Sequence, residues 1–205
     1  TEAAKAATMS RRTDGKAEPL VVPVREFSRD RGVLTLPDAV MLASALAEDA
    51  VPLQQLKREL AGVGVKARLS PGHEHAFLMI RRDRSLPRPE QYRLVLDRDG
   101  IEVRSKSAAG AYYAIQTLRD LVRIHGRRLP RGVIDDWPTF ARRGVYHDCA
   151  RGKAPTVQTI KQLIGWLAHW KINELQLYIE NAFQFAGHPD IGRGYSPYSP
   201  DDLLA

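Results

Sequence analysis

The last third of the chain alternates strand, helix and strand patterns, and this alternation is the feature that most constrains the fold. Residues 143–148 and 174–180 each predict a β-strand. Residues 155–170 between them predict a helix whose apolar face consists of Ile160, Leu163, Ile164 and Leu167. Since short links join the three elements, they form a βαβ unit with parallel strands. Two parallel strands cannot bury both of their faces, so we expect a front fragment of a larger protein that continues beyond Ala205.

The first two thirds of the chain predict a different, α+β arrangement over residues 21–135. Two alternating runs within residues 92–104 flank Asp99–Gly100, and a glycine at the second turn position permits the positive φ of a tight hairpin. Two helices are predicted at residues 52–61 and 107–124, because apolar residues recur there at helical spacing. We therefore expect a mainly antiparallel sheet with two helices. The other segments predicted to be extended are 32–37, 63–69 and 76–82.

Residues 1–20 are small and polar without apolar periodicity, and they predict a disordered leader. The predicted organisation is then a leader, an α+β domain over residues 21–135 and the start of a second domain over residues 136–205. The first residues lack the apolar core of a signal peptide, and no run approaches the roughly 18 apolar residues of a membrane span. Localisation stays open, and we predict no membrane partner.

The net charge of +7 lies entirely in the front part of the chain. Residues 1–135 contain 24 lysines and arginines against 17 acidic residues, whereas residues 136–205 contain seven of each. The tightest basic group, residues 81–84, is interrupted by an aspartate and has no interleaved aromatic residues for base stacking. This pattern favours a solvated basic face, and we predict no nucleic-acid partner.

Cysteine and histidine usage argues against disulfide and metal frameworks. Cys149 is the single cysteine, so the chain can form neither an internal disulfide nor a cysteine-built zinc site. His73 and His75 lie two positions apart, which differs from the His-Glu-x-x-His spacing of helical zinc sites, and the sequence suggests no third ligand. We predict no metal and no cofactor.

Several motifs occur in a characteristic order. The most specific runs are GAYYAIQTL at residues 110–118 and DWPTFARRGVYHDCAR at residues 136–151. Over residues 21–181 the chain resembles glycoside hydrolase family 20, the β-N-acetylhexosaminidases. The resemblance implies a small zincin-like α+β domain followed by the first βαβ unit of a truncated (β/α)8 TIM barrel. Residues 178–183 look closest to the hexosaminidase D-like branch, although Asn181 replaces that branch's aspartate.

The same resemblance implies the chemistry. Members of this family release terminal N-acetylglucosamine or N-acetylgalactosamine from glycans with retention, and the substrate's own 2-acetamido oxygen is the nucleophile. An Asp–Glu pair on the fourth barrel strand supports this reaction in the family. Because only two barrel strands are predicted before Ala205, we expect that pair beyond it. The 205 residues then contain no catalytic residue, and we expect them to be inactive alone.

The resemblance also implies which residues bind the sugar. Arg143 matches a family arginine that hydrogen-bonds the 3- and 4-hydroxyls, a task that suits a planar guanidinium; the alternative is an ion pair at the underside of the barrel. Glu180 and Asn181 end the second strand on the face where barrel enzymes build their active sites. Two roles of Glu180 are equally compatible with the sequence: a ligand of a sugar hydroxyl, or a charged residue on the rim of the barrel. Asp148 and Arg151 match a family Asp-x-x-Arg motif, and we expect a buried ion pair that holds the loop near the site, with contact to the substrate as the alternative.

Two other functions remain open. One is a different barrel glycosidase with the same accessory domain, of the α-glucuronidase or O-GlcNAc hydrolase type. The other is a non-catalytic carbohydrate-binding module that keeps the fold. Trp166 and Trp170 are four residues apart on the predicted helix, which indicates packing of a helix layer. The loop 183–198, with its aromatic residues, is the segment expected to meet ligand or a neighbouring loop.

Overall fold

The computed structural model describes residues 20–71, 76–195 and 197–204. These residues divide into two units, whose boundary in the sequence falls between Thr139 and Phe140. The predicted leader lies outside the described residues except for Leu20, and the His73–His75 segment lies outside them as well. Among the described residues, no helix combines the length and apolar composition that crossing a membrane requires.

The first unit contains one seven-stranded sheet and two helices. Its strands are β1 (Glu26–Thr35), β2 (Ala39–Ser44), β3 (Lys66–Ser70), β4 (Leu78–Arg82), β5 (Tyr92–Asp97), β6 (Gly100–Ser105) and β7 (Arg128–Asp136). Its helices are α1 (Ala50–Gly62), which follows a short 3-10 turn at Ala47–Asp49, and α2 (Ala108–His125). Both helices therefore form where the apolar spacing predicts them.

The strand order is β1-β7-β5-β6-β4-β2-β3, and the sheet is mixed. Strands β1, β7, β5 and β6 pair antiparallel, whereas β4, β2 and β3 join through parallel pairings. The prediction of a mainly antiparallel sheet is therefore wrong for the part of the sheet that β4, β2 and β3 form. Helix α1 connects the parallel neighbours β2 and β3, which forms a second βαβ unit that the sequence analysis missed.

Two strands of the first unit escaped prediction for identifiable reasons. Strand β2 is a short and almost continuously apolar run, so it shows no alternation. Strand β7 contains Pro130 and Gly132, two residues that argue against a strand interior. Pro130 pairs with Val33 of β1, beside an irregularity of register, while the β5 pairing begins only at Gly132. Asp135 and Asp136 are the last two residues of β7.

The predicted hairpin is present, but its turn lies one residue earlier than expected. Asp97 pairs with Gly100, so Arg98 and Asp99 form the turn and Gly100 begins β6. A Cβ atom on Gly100 would lie 2.5 Å from the main-chain oxygen of Phe77. The glycine is therefore needed for the close approach of a neighbouring segment and not for the turn itself.

The core of the first unit lies between the sheet and the two helices. Alternate strand residues such as Leu34, Leu42, Leu94, Val103 and Leu129 are almost completely buried, and they form one cluster with the apolar stripes of both helices. Burial of one such side chain contributes about 1.5–3 kcal/mol. The helical residues in the cluster are Leu53, Leu56, Leu60, Ala111, Ala114, Ile115, Leu118, Leu121 and Val122.

The second unit is the predicted βαβ arrangement. Its elements are β8 (Gly144–Asp148), α3 (Val157–His169), β9 (Glu174–Tyr178) and a short helix, α4 (Pro200–Leu204). Strands β8 and β9 pair in parallel, from Gly144–Glu174 to Asp148–Tyr178. Its buried cluster is small: Cys149, Ala182 and Tyr198 form the centre, with partly buried Val157, Ile160, Leu177 and Phe183 around them.

Candidate functional site

One face of the β8–β9 pair bears polar side chains. The register places Tyr146 opposite Gln176 and Asp148 opposite Tyr178, and strand alternation puts these four on the same face. Leu177 points the other way and packs, like Val157 and Ile160 of α3, against the buried cluster of Cys149, Ala182 and Tyr198. The apolar face of the pair therefore contributes to the small core, and the other face is polar.

Four side chains meet where the two parallel strands end, and we call Asp148, Arg151, Tyr178 and Glu180 the carboxyl-edge cluster. The Arg151 guanidinium lies 3.2 Å from Asp148 Oδ2, 3.4 Å from the Tyr178 hydroxyl and 3.6 Å from Glu180 Oε1. It also lies over the Tyr178 ring, 5.0 Å from the ring centroid. The cluster thus gathers two carboxylates, a phenol and a guanidinium at the edge where barrel enzymes place their sites.

Asp148 is held mainly by the backbone of its own loop. Its Oδ1 accepts hydrogen bonds from the main-chain N–H groups of Ala150 at 2.9 Å and Arg151 at 3.0 Å. The Ala150 hydrogen bond is the main cause that lowers the pKa of Asp148, and the Arg151 N–H and guanidinium act in the same direction. Asp148 is therefore an ionised anchor for the turn that follows β8.

Tyr178 and Glu180 form a direct pair. The Tyr178 hydroxyl donates a hydrogen bond to Glu180 Oε1, and this bond is the main cause that raises the pKa of Tyr178. Glu180 has a φ of 33°, which is uncommon for a residue with a side chain. Such backbone strain costs on the order of 1–3 kcal/mol and occurs preferentially at functional sites. Its carboxylate is about half exposed, with 49% accessibility.

Asn181 follows Glu180 and is tied to the next loop through its main chain. A Cβ atom on Gly192 would lie 2.4 Å from the Asn181 carbonyl oxygen, so the two backbones are in direct contact. The Asn181 side chain is half-buried. The structure therefore places Asn181 beside the carboxyl-edge cluster and at the base of the loop after β9.

Arg143 lies at the opposite, amino-terminal end of the strands. Its Nε donates to the carbonyl of Lys171 at 2.7 Å, and its Nη1 donates to those of Phe140 at 2.7 Å and Ala141 at 3.3 Å. The length of β8, five residues or about 16 Å, separates it from Asp148. The structure thus brings Glu180, Asp148 and Arg151 together and leaves Arg143 apart from them.

The neighbouring arginine makes the ion pair at this end. Arg142 donates Nε and Nη2 to the two carboxylate oxygens of Glu174, at 2.9 and 2.7 Å. This fork-to-fork pair lowers the pKa of Glu174, and it lies on the same face of the strands as Tyr146 and Gln176. An ion pair is the alternative role that the sequence suggests for Arg143, and the neighbouring Arg142 forms such a pair with Glu174.

The first unit of the chain matches a known protein family. Residues 19–137 match the model of glycosyl hydrolase family 20, domain 2, which is more than half of the chain. The chain belongs to glycosyl hydrolase family 20. It is 34% identical over 153 residues to a β-N-acetylhexosaminidase of Cellulomonas fimi, a match that covers 72% of this chain and 31% of the relative. It is 40% identical over 90 residues to a β-hexosaminidase of Vibrio furnissii, covering 43% and 15%.

Solved family 20 structures share its fold. A mutant Streptomyces plicatus β-hexosaminidase in complex with its product GlcNAc aligns with a TM-score of 0.79 and 20% identity, covering 94% of this chain and 44% of that one. The Bacteroides fragilis β-N-acetylhexosaminidase aligns with a TM-score of 0.73 and 21% identity, covering 89% and 39%. This family 20 chain therefore spans less than half the length of each of these proteins.

Two residues of the polar face of β8 and β9 were not identified from the sequence. Tyr146 and Gln176 share the polar face, and the Tyr146 ring lies 6.0 Å from that of Tyr178. The alternation of β8 and β9 could have identified both, because it places every second residue on one face. Within the described ranges, no group of three or more His, Cys, Asp or Glu side chains is arranged to hold a metal ion.

Proposed function

We propose that this chain is the N-terminal part of a retaining exo-β-N-acetylhexosaminidase that acts on terminal N-acetylglucosamine or N-acetylgalactosamine of glycans. The observation that carries the proposal is the similarity to the Cellulomonas fimi β-N-acetylhexosaminidase. It covers 72% of the chain, which is more than the first unit contains, so it extends into the βαβ unit. The similarity is thus not limited to an accessory domain.

The proposed architecture assigns a role to each unit. The first unit is the small zincin-like domain of the family, and the second is the first βαβ unit of a (β/α)8 barrel. The parallel β8–β9 pair supports this, since one of its faces is polar while Leu177 on the other packs against the buried cluster. In a closed barrel the polar face points inward, and the carboxyl-edge cluster lies at the end where active sites form.

The proposed sugar ligands of this chain are Arg143, Glu180 and Asn181. Glu180 presents a half-exposed carboxylate that can accept a sugar hydroxyl, with the Tyr178 hydrogen bond to orient it. Arg143 is proposed for the floor of the sugar pocket, at the amino-terminal end of the strands, because its planar donor fork suits two adjacent hydroxyls and the carbonyls of Phe140 and Lys171 orient it. Asp148 and Arg151 support the loop beside them.

These residues bind and orient the sugar, but they supply no acid for the leaving oxygen. We propose that the Asp–Glu pair of the family lies outside the 205 residues. The acetamido oxygen of the substrate then attacks the anomeric carbon, and the two inverting displacements together retain the configuration. The chain's own contribution is to position the sugar for that attack.

The decisive experiment is an assay of the natural full-length protein with a chromogenic N-acetyl-β-glucosaminide. We expect hydrolysis in which the β-anomer of N-acetylglucosamine is released first, as observed by proton NMR. The purified 205 residues serve as the control and should show no turnover. Binding of N-acetylglucosamine by the full-length protein without hydrolysis would instead indicate a carbohydrate-binding module.

The sugar ligands are tested in the same protein. Glu180→Gln keeps the size of the side chain and removes its charge, so we expect a KM increase of about tenfold with the fold unchanged. The matched control is Glu174→Gln, which removes a carboxylate paired with Arg142 at the opposite end of β9. Equal kinetics for wild type and Glu180→Gln would remove Glu180 from the proposed binding residues.

A further inference from the structure

The side chain of Arg151 contacts the end of β9 as well as the loop in which it lies. The turn after β8 is held through Asp148 Oδ1, which accepts from the main-chain N–H groups of Ala150 and Arg151. These two bonds do not involve the Arg151 side chain. The guanidinium instead lies 3.2 Å from the other oxygen, Asp148 Oδ2, and its Nη2 lies 3.4 Å from the Tyr178 hydroxyl on β9. The position of the side chain is therefore explained by its contacts with β9 more than by the turn.

The guanidinium sets the direction of a hydrogen-bond chain that ends on Glu180. A guanidinium has N–H donors and no acceptor, so the Tyr178 hydroxyl accepts from Arg151. The proton of that hydroxyl is then directed to Glu180 Oε1. Arg151 Nη2 also lies 3.6 Å from the same oxygen. The Glu180 carboxylate is thus held from two sides, by a phenol and by a guanidinium.

Tyr178 is itself held through its ring. The Arg151 guanidinium lies over the ring, 5.0 Å from its centroid, which is a favourable cation–π distance. The Tyr146 ring lies 6.0 Å from the Tyr178 ring, at an interplanar angle of 36°. These contacts restrict the phenol, so its hydroxyl meets Glu180 from a defined position.

Arg151 also compensates two like charges at the ends of neighbouring strands. Within the described part of the chain, it is the cation that pairs with both Asp148 and Glu180. Without the guanidinium the two carboxylates would repel each other. Asp148 is fixed by its two main-chain hydrogen bonds, whereas the Glu180 side chain is about half exposed. Glu180 is therefore the carboxylate that would turn away.

We propose that Arg151 is a positioning residue, which holds the Glu180 carboxylate in the orientation in which it binds the sugar. The inference rests on the proposed function, in which Glu180 is a sugar ligand, and it gives Arg151 a role in affinity beyond support of its loop. The Arg151 side chain is 70% exposed, and ion pairs at such sites add little to folding stability. Loss of the guanidinium should therefore weaken sugar binding and leave the fold intact.

The test is a double-mutant cycle in the natural full-length protein, assayed with a chromogenic N-acetyl-β-glucosaminide. Arg151→Gln removes the charge and should raise KM about fivefold while kcat changes less than about twofold, because the positioned carboxylate contributes to binding. In the Glu180→Gln background the same substitution should change KM less than about twofold, since the charge that Arg151 holds is gone. A role confined to the fold would give the same factor in both backgrounds.

Two further variants are controls. Arg151→Lys keeps the charge and loses the planar fork, so its KM should lie between those of wild type and Arg151→Gln. Arg142→Gln removes a comparably exposed arginine from the ion pair with Glu174 at the opposite end of the strands, and it should leave KM unchanged. The Tm of Arg151→Gln should stay within about 2 °C of the wild-type value.

Each alternative outcome has a clear meaning. An unchanged KM in Arg151→Gln, or the same loss with and without Glu180→Gln, would overturn the inference and leave the proposed function intact. If Glu180→Gln alone has no effect, Glu180 is not a ligand and Arg151 cannot act through it. If the wild type shows no hydrolysis, the proposed function fails, and calorimetric Kd values for N-acetylglucosamine replace KM in the same cycle. A smaller factor in the Glu180→Gln background then supports positioning, and equal factors or absence of binding overturn it.

Discussion

Tyr92 shows how a single polar side chain is accommodated in the core of the first unit. It is 1% exposed, and its hydroxyl lies 2.8 Å from Asp136 Oδ2 and 2.7 Å from Thr117 Oγ1. Burial, followed by the charge of Asp136, raises the pKa of Tyr92 well above its usual value. The phenol therefore remains neutral in the folded state and links the start of β5 to the end of β7.

Tyr92→Phe should lower the free energy of unfolding by about 1–2 kcal/mol at pH 7, because it removes a buried donor from Asp136. The difference in unfolding free energy between wild type and Tyr92→Phe should become smaller above pH 10, the usual pKa of tyrosine. Unfolded tyrosine loses its proton there while folded Tyr92 keeps it, so the wild type loses stability with rising pH. Urea unfolding at pH 7 and 10.5 measures both effects, and Tyr112→Phe, whose hydroxyl is partly exposed, should change stability less.

Gly132 lies where the backbone of β7 approaches that of β1 closely. It has a φ of 143° on β7, and a Cβ atom there would lie 2.2 Å from the carbonyl oxygen of Ser28 and 2.9 Å from the Cα of Arg29. Both contacts are with the backbone of β1, next to its irregular register. The neighbouring strand therefore cannot yield by a simple change of rotamer.

Gly132→Ala should destabilise the chain by about 2–4 kcal/mol, since it combines backbone strain with overpacking. Gly62→Ala is the matched control, because Gly62 ends α1 and a Cβ atom there would meet nothing within 4 Å. That substitution should be neutral or stabilising. Thermal unfolding of both variants measures the contrast, and similar Tm values would contradict the backbone argument.

The two arginines before β8 mark a limit of residue-level prediction. The sequence presents Arg142 and Arg143 as adjacent and chemically equal, and only the family resemblance distinguishes them. In the structure Arg142 pairs with Glu174 and Arg143 donates to main-chain carbonyls. Side-chain direction at a strand start depends on partners far along the chain, such as Lys171 and Glu174, so local pattern could not assign these roles.

At the scale of elements, helix α2 begins where its sequence indicates. Ser107 is the N-cap with extended backbone, and its Oγ accepts a hydrogen bond from the N–H of Gly110 at 3.2 Å. The same hydroxyl donates to the carbonyl of Pro89 at 2.6 Å. One side chain thus fixes both the start of the helix and its attachment to the segment before β5.

Ser107→Ala should cost about 1–2 kcal/mol of stability, because the cap and the hydrogen bond to Pro89 are lost together. Ser107→Thr retains the hydroxyl and should recover most of that loss. Chemical denaturation followed by far-ultraviolet circular dichroism is the measurement. Equal loss in both variants would show that the hydroxyl has no role in starting α2.

Elements with a regular apolar period were predictable, and those without one were not. The apolar spacing predicts helices α1 and α2 and strands β5 and β6, because each pattern repeats within a short window of the sequence. Strand β2 shows no alternation, and β7 contains a proline and a glycine. Both exist because neighbouring strands supply hydrogen bonds to them, which is information that a short window of sequence does not contain.

At the scale of the whole molecule, the two units differ in how much apolar surface they bury. The first unit encloses a continuous cluster of leucines, isoleucines and valines, whereas the described part of the second unit has a small one. Large side chains of the second unit stay accessible, with Trp166 at 60%, Ile164 at 50% and Trp170 at 49%. The first unit should therefore account for most of the stability.

Hydrogen exchange should resolve this difference in the 205-residue chain. We expect the amides of β5 and β6 to exchange by global unfolding and those of β8 and β9 to exchange at least tenfold faster through local opening. Urea should then remove the protection of β8 and β9 at a lower concentration than that of β5 and β6. Equal protection factors for the two pairs of strands would contradict unequal stability.

The sequence by itself determined the elements with strong periodicity, the α+β character of the front part, the βαβ unit and, through its motifs, the family. Each of these depends on residues close together in the chain. Only the tertiary structure decided the mixed strand order and the approach of Arg151 to Tyr178 and Glu180. These features arise from contacts between segments distant in sequence. Their stability depends on which surfaces meet in the folded chain, and a local pattern does not contain that information.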